Sequence, residues 1–127
     1  MEFESEFRNF LNQNFKIIES LFEGRVVVYD CGYFVLRIVE DRNLFKSIEV
    51  SSELVPDNWF SLNVIRSFIL KNDDYFKALD FGIAYVFIMN YFQNIANLFS
   101  SRSYPQTAKS LKELEDSRAE IKYGRLK

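Results

Sequence analysis

Apolar residues recur at spacings of three and four over the first 22 positions: Phe3, Phe7, Phe10, Leu11, Phe15, Ile18, Leu21 and Phe22. That period gathers side chains on one helical face and predicts an amphipathic helix over residues 2–22. Glu2, Glu4 and Glu6 stand in or near its first turn, where the helix dipole favours negative charge, and Gly24 reads as its stop.

The pattern then changes to β-branched and aromatic runs. Arg25–Tyr29, Tyr33–Glu40 and Leu44–Val50 read as strands. The short links Asp30-Cys31-Gly32 and Asp41-Arg42-Asn43 are turn-prone, so the strands form two hairpins of an antiparallel meander. Phe34, Leu36 and Ile38 form the expected core face of the second strand, and Tyr33, Val35, Arg37 and Val39 a partly covered outer face.

Residues 51–58, with Pro56, read as a loop, and Asp57 or Asn58 as the cap of a helix from about Trp59 to Leu70. Asn72 is the expected stop, Asp73 the cap of the next helix, and Asp74–Phe99 the longest helix. Phe81, Tyr85, Ile88, Phe92, Ile95 and Phe99 draw one stripe along it, while Ile83, Ala84, Val86, Phe87, Met89 and Tyr91 make its other faces apolar too. A helix apolar all round is buried on several sides, so we read it as the central helix, with a self-association surface as the alternative. Gly82 inside it costs about 1 kcal/mol relative to Ala, which predicts a close packing contact there. Pro105 suits a helix start, and residues 106–122 form a last, polar helix that ends at Gly124.

The expected fold is a single α+β domain over residues 1–127: an N-terminal helix, a three- to four-stranded antiparallel sheet, and three further helices, with a polar C-terminal helix and tail over 101–127. The long helix should pack on the sheet, with Phe34, Leu36, Ile38, Ile48, Phe81, Tyr85, Ile88 and Phe92 in the core.

Composition narrows the chemistry. There is no histidine, the side chain that switches charge near neutrality and most often binds metals. The single Cys31 cannot form an internal disulfide, fits a reducing cytoplasm, and reads as a buried thiol. It has no histidine to activate it, and the serines lie outside any nucleophile motif. The pairs Glu40-Asp41 and Asp73-Asp74 read as a polar turn and a helix cap rather than as metal ligands, and no cofactor is expected. Four scattered glycines make no phosphate loop.

Neither the acidic start nor residues 81–99, interrupted by Asn90, Gln93, Asn94 and Asn97, reads as a signal or membrane span. Residues 1–24 carry five acids against two bases, and residues 101–127 seven bases against four acids, without the dominant basic face of a nucleic-acid binder. An aromatic–basic sheet of Tyr33, Phe34 and Phe45 with Arg37, Arg42 and Lys46 is offset by Glu40, Asp41 and Glu49 on the same strands. Fourteen Phe, seven Tyr and one Trp are mostly core, with Tyr29, Tyr33, Tyr75, Tyr104 and Tyr123 as possible surface anchors. The chain thus reads as a domain that binds rather than catalyses.

The order of elements, with Val39-Glu40-Asp41-Arg42-Asn43-Leu44-Phe45, Trp59-Phe60-Ser61-Leu62, Ile95-Ala96-Asn97-Leu98-Phe99-Ser100 and the late Arg118, resembles small bacterial immunity proteins of contact-dependent growth inhibition and related polymorphic toxin systems. The resemblance implies a non-enzymatic inhibitor that binds a cognate toxin domain in the cytoplasm of the producing cell. Many such toxins are nucleases with basic sites, and acidic side chains can mimic phosphate and steer encounter. Asp30, Glu40, Asp41, Glu53 and Asp57 are the candidate partner-binding acids. The alternative is a homo-oligomeric adaptor that self-associates through residues 81–92, so a homodimer is also open. An enzyme built on converging carboxylates is a third reading.

Overall fold

A computed structural model describes residues 3–40, 46–53, 58–71 and 80–123, with side chains to residue 117. The described chain runs α1 (Glu4–Asn14), β1 (Lys16–Leu21), β2 (Val26–Asp30), β3 (Phe34–Glu40), β4 (Lys46–Ser52), β5 (Phe60–Ser61), α2 (Leu62–Leu70), α3 (Phe81–Leu98) and α4 (Tyr104–Tyr123). The fold is α+β. Its five strands form one antiparallel sheet in the order β1-β2-β3-β4-β5, so the sheet has more strands than the sequence suggested.

The extra long strand comes from the expected first helix. That helix stops at Asn14, whose side-chain amide donates to the Phe10 carbonyl at 2.8 Å, and Phe15 is already extended at φ −133°, ψ 157°. Asn12 and Asn14 are weak helix formers, and Ile17 and Ile18 favour a strand. The 3–4 spacing continued through 15, 18, 21 and 22 while the backbone changed. Gly24, expected to end a helix, instead closes the β1–β2 turn at φ +86°, beside Phe22 and Glu23 at φ +55° and +59°.

The middle strands keep the alternation read from the sequence. Leu36 pairs with Tyr29 and Val50, and Ile38 with Val27 and Ile48, on the face turned to the helices. Phe34, Leu36, Ile38, Ile48, Phe81 and Ile88 are buried there, with Tyr85 and Phe92 partly buried against them. On the opposite face Arg37 bonds Glu49 at 2.6 Å and lies over the Trp59 ring at 4.2 Å. Phe34 is fully buried and Lys46 is bonded to Glu4, while Arg42 and Phe45 lie outside the described residues, so the described part of the aromatic–basic set does not share one open face.

Several helix starts differ from expectation. Trp59 precedes α2 and Phe60 pairs with Val50, so Ser61, not Asp57 or Asn58, caps α2 by accepting from the Asn63 N–H at 3.1 Å. Lys71, in the left-handed region at φ +54°, follows its last turn. Asp80 caps α3, accepting from Gly82 and Ile83 at 2.8 and 3.1 Å. The expected stop Asn72 and the Asp73-Asp74 start lie outside the described residues, as does Gly124. The α3 backbone leaves helical geometry at Tyr91 (φ −121°, ψ 18°), so its stripe is bent rather than straight. Pro105 falls in the first turn of α4.

Polar ties hold α1 to the sheet. The Tyr29 hydroxyl donates to Asn12 Oδ1 at 2.8 Å, and Glu4 receives Lys46 at 2.7 Å and Arg8 at 2.9 Å. Burial alone would raise the Glu4 carboxyl, but the hydrogen bonds from Lys46 and Arg8 outweigh it and hold it below its ordinary range. A carboxylate held low in the folded state adds stability above its unfolded pKa and loses it as pH falls through the folded value. Glu4→Gln is therefore expected to destabilise the protein by about 1 kcal/mol near neutral pH, with the difference fading below about pH 4. Urea midpoints of both proteins, followed from neutral to acid pH, check this.

Candidate functional site

The core-facing stripe of α3 leaves a second apolar row uncovered. Phe81, Ala84, Phe87, Ile88, Ile95 and Ala96 are buried, but Ile83, Val86 and Met89 are 45%, 58% and 57% exposed. Their spacing of three keeps them on one side of the helix. Single exposed apolar residues are ordinary, whereas a contiguous row is a mark of an interaction surface. Residues 81–92, read as buried on several sides with a self-association surface as the alternative, are buried where α1 and α2 pack against α3 and exposed along this row.

The row borders a groove of about 810 Å³ walled by α3, α2 and the start of α1. Phe3, 51% exposed, forms one end, and Leu70, Tyr85 and Tyr91 add apolar wall. Glu6, Arg66 and Asp80 supply charge around it. A lining that is mostly apolar and aromatic with a few charged residues matches the composition of protein-binding surfaces. Gly82 explains its own presence in the helix. A β-carbon there would stand 2.8 Å from Cδ2 of Phe3, so only glycine lets that ring lie against α3. The packing contact expected at Gly82 is present, and it shapes the groove.

The acids singled out from the sequence do not form one patch. Asp30 and Glu53 come together at one end of the sheet: Asp30 Oδ1 accepts the Gly32 N–H at 2.9 Å, and partial loss of water with the charge of Asp30 raises the Glu53 carboxyl. Glu40 ends β3, opposite Lys46, with its N–H donating to the Arg25 carbonyl at 2.7 Å. Asp30 pairs with Val35, so Glu40 lies five residues further along the strand, about 17 Å away. Asp41 and Asp57 lie outside the described residues. Among the described residues no group of three or more Cys, Asp or Glu gathers as metal ligands, and no helix is long and apolar enough to cross a membrane.

Of the tyrosines considered as surface anchors, Tyr29 and Tyr104 are buried and Tyr33 is 63% exposed, while Tyr75 and the Tyr123 side chain lie outside the described set. Sequence reasoning held an exposed face of residues 81–92 only as the alternative and did not single out Ile83, Val86 and Met89. The spacing was visible, but it matched that of the buried rows beside it.

Cys31 is 5% exposed, and burial first, then the charges of Asp30 and Glu53, push its thiol well above the ordinary range. Because the thiolate is the nucleophile, alkylation of Cys31 in the folded protein is expected to be at least roughly a hundredfold slower than in urea. Mass spectrometry after timed iodoacetamide treatment checks this. No family model, curated protein or solved structure matches this chain.

Proposed function

We propose that this chain is a non-enzymatic protein-binding inhibitor: an immunity protein that neutralises a cognate bacterial toxin, in the cytoplasm of the producing cell, by direct binding. The observation that carries the binding role is the exposed row Ile83, Val86 and Met89 beside its groove. Burying such a row stabilises a complex by removing apolar area from water, about 25 cal/mol per Å² before the costs of association. The toxin-neutralising role comes from the resemblance in element order and from the acids. Asp30 and Glu53, close together, supply the negative charge that would meet a basic nuclease site. Glu40, at the far end of β3, remains a proposed contact, as do Asp41 and Asp57, which lie outside the described residues.

The same row favours one second reading, a homo-oligomeric adaptor in which two copies cover each other's α3. Co-expression with the product of the adjacent upstream open reading frame separates the two. Rescue of growth and a stable complex are expected, and an upstream product that is neither toxic nor captured sinks the immunity reading. Val86→Glu with Met89→Glu is expected to weaken toxin capture by roughly a hundredfold or more while leaving the circular dichroism melt unchanged. A native mass that falls in that variant, with no captured toxin, selects the adaptor. Asp30→Lys with Glu53→Lys is expected to slow association by about tenfold at low salt and to matter less at high salt. Stopped-flow association at two ionic strengths reads this, and unchanged kinetics would remove both acids from the interface.

A further inference from the structure

The two edges of the sheet are unlike. β5 is two residues long and runs straight into α2, so it offers little backbone to pair with. β1 is six residues long, and every one of them is exposed. Ile17 and Ile18 are 47% and 51% exposed. Among the described residues no strand pairs with the outer side of β1, and an edge of this length with apolar side chains is a template for another strand.

The register of β1 says which strand fits. Lys16 pairs with Asp30, Ile17 with Tyr29 and Glu19 with Val28, so Ile18 is the extra residue of a bulge. Asp30 and Val28 are two positions apart on β2 and share a face. The bulge therefore places Lys16 and Glu19, three apart in sequence, on that same face, one pairing step either side of the isoleucines. Without the bulge they would point to opposite faces.

In an antiparallel pair related by a twofold axis perpendicular to the sheet, each strand meets its own sequence reversed. With the axis at the bulge, Lys16 stands opposite Glu19 of the second copy, Glu19 opposite its Lys16, and Ile17 and Ile18 opposite its Ile18 and Ile17. Every charge then meets its opposite and the apolar pair meets itself. We propose that β1 is a homodimerisation edge, on which a second copy of this chain pairs antiparallel through Lys16–Glu19 and joins the two sheets into one. The row on α3 is not part of this edge, so a dimer so built keeps it for a different partner.

A bulge and charges also serve to block edge pairing, and a protective role predicts a monomer. The strand edge alone is small against the roughly 1,200–2,000 Å² of a stable complex, so the dimer is expected to be reversible. Sedimentation velocity over roughly 1 to 300 µM should show the mass rising from 15.1 kDa toward twice that value. Lys16→Glu and Glu19→Lys, each turning two attractions into two repulsions, should each weaken the dimer by about tenfold or more, and the double exchange should restore it to within about threefold. Both residues are exposed, so unchanged thermal melts will show that the variants fold. Val86→Glu should leave the dimer intact. A monomer throughout the range, single reversals without effect, a double exchange that fails to restore, or loss of the dimer in Val86→Glu would each overturn the proposal.

Discussion

A continuous seam of aromatic rings holds the layers of this protein together. Phe81 of α3 meets Phe7 of α1 at 5.9 Å between centroids, and Tyr85 meets Phe10 at 5.1 Å. Phe15 stacks on Phe92 at 5.7 Å, Phe92 tilts against Phe34 of β3 at 5.2 Å, and Phe99 joins Phe34, Phe60 and Tyr104. Rings of this size bury large areas, and tilted or offset pairs add about 0.5–1.5 kcal/mol each beyond that area. The seam explains why so small a domain carries so many phenylalanines. Most are spent joining α1 and α3 to the sheet.

The seam also determines what stays outside. Once Phe81, Tyr85, Ile88 and Phe92 are turned inward, the helical period turns Ile83, Val86 and Met89 away. Phe3 reaches across because Gly82 has no side chain, and the groove forms where α1 begins. The helix bends at Tyr91, where Phe87 and Tyr91 stack at 5.0 Å, and beyond the bend Phe99 packs against Phe34 of β3. The candidate binding surface is thus a consequence of how α3 is held.

Legibility in the sequence followed the strength of the local signal. β3 has seven residues whose alternation separates a buried face from an outer one, and it sits where that alternation puts it. Residues 15–22 carried a helical spacing but not a helical backbone, because Asn12 and Asn14 end α1 and pairing with β2 stabilises the extended form. Capping was equally ambiguous. Asp57, Asn58 and Ser61 are all good caps, and the choice of Ser61 followed from Phe60 pairing with Val50 in the sheet. Of the candidate acids, Asp30 and Glu53 come close because β2 and β4 both flank β3 and finish at the same end of the sheet, a proximity that no local spacing encodes.

By itself the sequence determined the α+β class, the meander, the core face of the sheet, the inward stripe of α3 and the burial of Cys31. Each follows from periodicity and side-chain chemistry, which act over a few residues. Tertiary structure decided that residues 16–21 form an exposed edge strand, that the outer row of α3 is uncovered, and that only two of the described acids meet. Those outcomes depend on which surfaces find partners across the chain. An apolar side chain has the same sequence signature whether its neighbour is a core or water, and only the packing distinguishes them.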